Sequence, residues 1–354
     1  MMELIDTRGG SKMLKIGLMG CGKVAGYGHL PAIAKSAKLD VFAIYDPDEG
    51  RLCDMQRKFD VPFAYTDVDR FMQSGIDAVV ITSPAPFHLQ NVVDAARYGK
   101  PVLCEKPLAM DEAEAKEMIR LADEAGVALY TAFDYRFSPV SLQIKQLVQS
   151  GEIGEVRLLR LVYIWNLHGK YGTDELGRQI LNQRREGRME EGGPLVDCGV
   201  HQIDLARWWL GSEVTRYEGD GVWIDDSLYE APDHMYVRLD HASGAKTMVE
   251  MSFSYGHTAK EPLAHFTYDL IGTEGIIRYD RREQVFEMRN SKGTTRFPFA
   301  GEKNFAGMYD AFADALQTGD PGMMPTARDG LMATWIARTA TDEAIGKKRG
   351  ETSE

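Results

Sequence analysis

The feature that most constrains this chain is a short apolar run, LKIGLM, that passes directly into Gly20-Cys21-Gly22-Lys23-Val24-Ala25. The run is strand-like, and the GxGxxA pattern after it opens a helix-compatible stretch. The two glycines let the backbone turn tightly and approach a bound group, while Ala25 lets the helix pack close on the strand. Backbone amides at the helix start suit a pyrophosphate. A second signal stands 26 residues beyond Gly20, where Asp46 ends the next apolar run. That is the place of a carboxylate that accepts from ribose hydroxyls. Together the two signals predict a dinucleotide site formed by Gly20, Cys21, Gly22, Lys23, Val24 and Asp46. Asp46 repels a 2'-phosphate and so favours NAD, while Arg51 close by leaves NADP open.

The rest of the first third repeats one rhythm. LKIGLMG, VFAIYD, PFAYT, DAVVITS, KPVLCEK and VALYTAF are strand candidates, each followed by a Gly, Asp or Pro signal, and residues 111–125 carry a helical pattern before Gly126. Most of the runs are apolar throughout, as in strands buried on both faces, so residues 14–135 are expected to form a parallel-sheet α/β Rossmann domain. After a connecting helix at 139–149 the texture changes. VRLLRLVYIW, VTRYEGDGVWI, HMYVRLD, AKTMVEMSFSY, HFTYDLIG and GIIRYD are longer, aromatic and alternating, which predicts an α+β domain over residues 136–345 with a large, mostly antiparallel open sheet. Helical segments are expected at 194–210, 304–317 and 326–345. Residues 1–13 are polar and Gly-rich and read as a disordered leader, and 346–354 as a tail.

Composition excludes several classes. With 354 residues, a net charge of -12 and a pI near 5.3, the chain lacks the basic face a nucleic-acid binder needs. No stretch nears the roughly 18 apolar residues of a membrane span, and the first residues lack a secretory pattern, so the cytoplasm is the expected location. Cys21, Cys53, Cys104 and Cys198 show no CxxC spacing and are expected to be reduced thiols; no metal site is expected.

Later segments hold candidate chemistry. Glu105-Lys106-Pro107 follows the fifth strand at the sheet edge where open α/β sheets place ligands. Asp197, His201 and Asp204 fall at i, i+4 and i+7, on one face of a helix if the segment is helical throughout. The polar, aromatic stretch 165–193 precedes that helix and is the natural place for substrate selection. Trp165 and Tyr171 offer rings to a sugar face and His168 a hydrogen bond; Arg178, Arg184, Arg185 and Arg188 suit a carboxylate, a phosphate or a neighbouring subunit.

Four separated stretches, GCGKVA, ITSPAPFH, LCEKPLA and GGPLVDCGVHQIDLARWWLG, resemble in order the signatures of the glucose-fructose oxidoreductase and inositol dehydrogenase group, Gfo/Idh/MocA. The resemblance implies that Thr82, Ser83, Pro84, His88, Glu105, Lys106 and Arg136 contact the cofactor, although Ser83-Pro84-Ala85 departs from the family's Pro-Asn pair and Asp134 stands where relatives have Asn. It further implies an NAD(P)-dependent dehydrogenase acting on a secondary alcohol or ketone of a sugar, polyol or inositol-like substrate. In it His201 takes the hydroxyl proton, Lys106 stabilises the alkoxide, and Asp197 orients substrate or histidine. Two alternatives stay open, a redox-neutral NAD-dependent glycoside cleavage with the same residues and a non-catalytic dinucleotide-sensing regulator. The uncovered aromatic sheet predicts a homodimer or homotetramer.

Overall fold

The computed structural model describes residues 13–165, 171–174, 176–225, 229–255, 259–261 and 263–350. The chain folds into two compact units, each drawn from three stretches. The first comprises the chain up to Glu105, Met118–Tyr130 and Phe305–Met324; the second comprises Lys106–Glu117, Thr131–Asn304 and the chain from Pro325 onward.

The opening rhythm becomes β1 (Leu14–Met19), α1 (Leu30–Ala34), β2 (Leu39–Tyr45), α2 (Glu49–Phe59), β3 (Phe63–Tyr65), α3 (Val68–Met72), β4 (Ala78–Ile81), α4 (His88–Arg97), β5 (Val102–Cys104), α5 (Glu112–Ala125) and β6 (Leu129–Thr131). The six strands form one parallel sheet in the order β3-β2-β1-β4-β5-β6. Ile16, Leu18, Val79, Val80 and Leu103 are essentially inaccessible, because helices cover both faces of a doubly wound sheet. The order reverses between β1 and β4, so the loops after these strands flank the switch point where such sheets bind ligands.

The second texture becomes α6 (Pro139–Gln149), β7 (Val156–Ile164), a hairpin of β8 (Tyr171–Thr173) and β9 (Gln179–Leu181), α7 (Gln183–Glu190), α8 (Val200–Leu210), and strands β10 (Val214–Val222), β11 (His234–His241), β12 (Lys246–Ser252), β13 (His265–Gly272), β14 (Gly275–Asp280), β15 (Val285–Asn290) and β16 (Gly293–Arg296). Helices α9 (Phe305–Thr318) and α10 (Ala327–Arg349) close the chain. Eight strands make one sheet in the order β10-β11-β12-β7-β13-β14-β15-β16, antiparallel except where β12 meets β7. Its inner face (Leu159, Leu161, Val237, Val249, Tyr268, Ile277) packs with Ile203, Leu205, Ala206 and Trp209 of α8 and Ala333, Ile336 and Ala337 of α10 in one core. Helix α8 is enclosed on nearly all sides, so it buries the polar His201, Gln202, Asp204 and Arg207 as well as its apolar residues.

Three differences from the sequence expectation have local causes. Strands β15 and β16 pass unnoticed in the sequence because they are short and partly charged. In the segment read as a selection loop, Asn182 caps α7 by accepting from the Arg184 amide, and the helix is too polar for periodicity to reveal it. Finally, the segment before α8 is a wide π-type turn, Leu195–Gly199, so Asp197 and His201 do not follow regular α-helical spacing.

Candidate active site

The phosphate-loop region is assembled within the first unit. Gly20 has φ +100°, and a Cβ there would lie 2.5 Å from the Ser83 nitrogen, so both its conformation and its neighbour require glycine. Thr82 donates from Oγ1 to the Gly20 carbonyl at 2.6 Å and fixes the loop from β4. At Gly22 an added Cβ would meet no protein atom within 4 Å. The fold itself therefore does not demand this glycine, whereas close approach of a pyrophosphate does. Lys23 is exposed and Val24 half-buried at the start of a helical segment that widens into a second π-type turn, Ala25–His29. The Asp46 carboxylate accepts from the Cys21 amide at 2.8 Å and the Asp48 amide at 2.9 Å, with Arg51 Nη2 at 3.4 Å. Loop and acid are thus one hydrogen-bonded unit, and its residues fit the pyrophosphate and ribose of a dinucleotide. Burial, then the Asp46 charge, pushes the Cys21 thiol up to about 12, which leaves it unreactive.

Around the β4 loop, Ser83 donates to Asn91 Oδ1 at 2.7 Å, Pro84 is exposed, and His88 is buried with Nε2 2.9 Å from the Ser83 carbonyl. His88 therefore shapes the loop that carries Ser83. Glu105, just past β5, is 7% exposed and hydrogen-bonded through Oε1 to His29 Nε2 at 2.8 Å.

Lys106, Asp197 and His201 belong to the second unit. Lys106, whose peptide bond to Pro107 is cis, donates from Nζ to Asp197 Oδ1 and to the Asp197 carbonyl, each at 2.8 Å. The lone lysine of the EKP segment is thus held against the aspartate read from 91 residues downstream. Arg188 Nη1 lies 3.5 Å from the same Oδ1 and 2.7 Å from Glu191. Burial alone would raise the Asp197 carboxyl, but the charges of Lys106 and Arg188, with hydrogen bonds from Lys106 and Cys198, outweigh it and hold the group well below the usual carboxylate range. Asp197 is therefore a fixed anion. Burial and that anion push the Cys198 thiol far up, so it supplies no nucleophile. On the following helix His201 stacks on Tyr135, centroids 4.0 Å apart and planes 7° apart, with Phe133 edge-on at 5.7 Å. Tyr135 and Phe133 sit in the stretch where the sequence drew attention to Asp134 and Arg136. Burial keeps the Tyr135 phenol protonated.

Arg136, assigned to the cofactor by resemblance, is engaged elsewhere. Its Nε donates to Asp204 Oδ2 at 2.7 Å, Nη2 donates to Asp204 Oδ1 at 2.5 Å, and Asp329 lies 3.2 Å away. Burial opposes this charge, yet the two aspartates outweigh it and raise the guanidinium pKa. The Asp204 face of α8 is thereby an internal tie. Of the arginines in the selection segment, Arg185 is fully buried, donating to the Phe253 carbonyl at 2.8 Å and to Ser254, and Arg178 pairs with Asp174. Trp165 is half-buried and stacks on Tyr163 at 5.6 Å. Tyr171 begins β8, and His168 lies outside the described residues. Among the described residues no helix is long and apolar enough to cross a membrane.

A parallel sheet with its glycine loop at the switch point is the frame of a nicotinamide-dependent oxidoreductase, and comparison with known proteins agrees. A model described as oxidoreductase family, NAD-binding Rossmann fold, matches residues 14–133, and the GFO/IDH/MocA C-terminal domain matches residues 141–278. The chain belongs to the GFO/IDH/MocA family of oxidoreductases. It is 27% identical to the myo-inositol 2-dehydrogenase of Thermotoga maritima over 349 residues, covering 95% of this chain and 97% of that one. It is 29% identical over 292 residues to the scyllo-inositol 2-dehydrogenase (NAD(+)) of Bacillus subtilis, covering 80% and 78%. The crystal structure of an inositol dehydrogenase homologue from Azotobacter vinelandii, complexed with NADH and myo-inositol, shares the fold with a TM-score of 0.79 at 17% identity, covering 94% and 96%.

Proposed function

We propose that this protein oxidises a secondary alcohol of a sugar- or inositol-like polyol with NAD, or runs the reverse reaction. The observation that carries the proposal is the partly buried Lys106–Asp197 pair, with a histidine held by ring stacking four residues beyond Asp197. NAD, when bound, supplies the hydride acceptor, and the loop from Gly20 to Val24 with Asp46 holds it. The protein's own residues handle charge and the proton. His201 takes the hydroxyl proton, and its stacking on Tyr135 fixes the plane in which the ring nitrogens act. The Lys106 ammonium stabilises the oxygen as its charge grows. Asp197, kept ionised, anchors Lys106 and accepts from substrate hydroxyls. Names of the relatives, which include inositol dehydrogenases, support the polyol class.

The test strips bound nucleotide, adds NAD or NADP, and follows nicotinamide reduction across inositols, aldoses, sugar acids and their phosphates. Lys106→Ala and His201→Ala should each lower kcat by about 10²–10³-fold. No reduction on any polyol, despite measurable NAD binding, would sink the dehydrogenase reading.

We also propose that the chain assembles as a homo-oligomer through the outer face of the eight-stranded sheet. Tyr236, Met248, Ile271 and Ile276 are 37–41% exposed there, an apolar set that, among the described residues, no helix covers. Light scattering gives the mass that decides it.

A further inference from the structure

His29 has no role in the chemistry assigned to Lys106, Asp197 and His201, yet it is completely buried. A buried imidazole needs partners for two polar nitrogens. Both are met: Nδ1 lies 2.6 Å from the Tyr309 hydroxyl, and Nε2 lies 2.8 Å from Glu105 Oε1. A carboxylate only accepts, so Nε2 donates to Glu105, and Nδ1 pairs with the Tyr309 hydroxyl. Burial, then the Glu105 charge, holds the Tyr309 phenol well above its usual range, which keeps it protonated. The result is a continuous hydrogen-bonded chain from Tyr309 through His29 to Glu105.

Three distant stretches of one compact unit meet in it. His29 ends the π-type turn that follows the glycine loop, Glu105 follows β5, and Tyr309 lies on α9. Packing leaves the imidazole little freedom. A Cβ on Gly28 would lie 2.6 Å from the Phe305 ring, and that ring meets His29 edge-on at 5.0 Å. Glycine at 28 is what allows α9 to approach closely enough for Tyr309 to reach the histidine.

We propose that His29 and Tyr309 are positioning residues for the Glu105 carboxylate, and that through it they set the affinity for the dinucleotide rather than the rate of hydride transfer. The proposal rests on the reading that Glu105 contacts the cofactor. A glutamate has three rotatable bonds, and a carboxylate already fixed on one oxygen loses little further freedom when a ligand hydroxyl or amide arrives. Losing that preorganisation is expected to weaken binding about tenfold.

The full-length protein with His29→Leu, His29→Gln, Tyr309→Phe and Glu105→Gln tests this. The readouts are the Kd for NAD by direct titration, the separate KM values for NAD and polyol, kcat, and Tm as a check on folding. His29→Leu should raise Kd and KM for NAD about tenfold, with polyol KM unchanged and kcat at saturating NAD lowered less than threefold. Tyr309→Phe should have a smaller effect in the same direction. His29→Gln, whose terminal amide donates as Nε2 does, should recover most of the affinity. His29→Leu added to Glu105→Gln should cost less than it does alone. A folded His29→Leu protein that binds NAD like wild type overturns the proposal. So does a loss spread over kcat and both KM values that His29→Gln does not recover, which is the signature of core packing alone. An unchanged Kd in Glu105→Gln removes its foundation. Because Kd is read without substrate, failure to turn over any polyol would strike the dehydrogenase reading and leave the relay decided by binding.

Discussion

The Asp46 carboxylate is divided between two backbone amides, Cys21 and Asp48, and faces the single, exposed guanidinium of Arg51. Asp48 shares that guanidinium at 3.6 Å, so two acids meet one base where the adenosine ribose would lie. We propose that this arrangement disfavours a 2'-phosphate. Asp46→Ser should raise the NADP-to-NAD ratio of kcat/KM by about 10²-fold, because serine keeps an acceptor while removing the charge. Initial rates with both cofactors check it, and an unchanged ratio would show that Asp46 serves the loop alone. The acid was legible in the sequence since its spacing from Gly20 is local to one βαβ unit. His29 and Tyr309 were not, because a single histidine in an apolar helical stretch carries no local signal and its partner lies 280 residues away. Arg136 was read from resemblance as a cofactor ligand; only the three-dimensional arrangement brings Asp204 and Asp329 to it.

At the scale of elements, α10 starts where a charge network ends. Thr326 and Asp329 form a reciprocal capping box, with the Asp329 amide donating to Thr326 Oγ1 and the Thr326 amide donating to Asp329 Oδ2. The same Asp329 reaches Arg136 at 3.2 Å and Arg207 at 3.3 Å, so one side chain caps α10 and anchors it to the arginines of two other segments. Burial raises its carboxyl, but Arg136 and Arg207, with hydrogen bonds at Thr326, outweigh that and set it below the ordinary value. Asp329→Asn should cost about 2–3 kcal/mol at neutral pH, measured by urea unfolding, since it leaves two largely buried guanidinium groups short of charge. With a folded pKa below the unfolded one, this stabilisation is complete above the ordinary carboxylate range. It fades as pH falls through the depressed folded value, so the gap between wild type and variant should narrow in acid. A gap that widens in acid would contradict the assignment. The six parallel strands, as short apolar runs closed by turn signals, and α10 were readable from sequence. The π-type turn at Leu195–Gly199 was not, because a widened turn changes hydrogen bonding without changing which residues are apolar.

For the whole molecule, the sequence shows a change of texture after the connecting helix at 139–149, and with it the parallel and antiparallel sheets. The outer face of the second sheet is the surface proposed above for assembly. Met248→Glu with Ile271→Glu places charge amid the apolar set of β12 and β13 and should reduce the light-scattering mass toward the monomer without unfolding the inner core. A wild-type protein that is already monomeric at tens of micromolar would refute assembly by this face.

The interleaving of the two units has a consequence for the order in which the protein comes into being. The stretch Phe305–Met324 belongs with the dinucleotide-binding unit, yet it is made after the whole eight-stranded sheet. On the ribosome, β1 to β6 emerge early but wait for Tyr309 and Phe305 while some 170 residues of the other unit are synthesised. During that interval His29 and the Phe305-facing side of Gly28 are without their partners from α9. The contacts of the first unit are complete only once this late helix has been made.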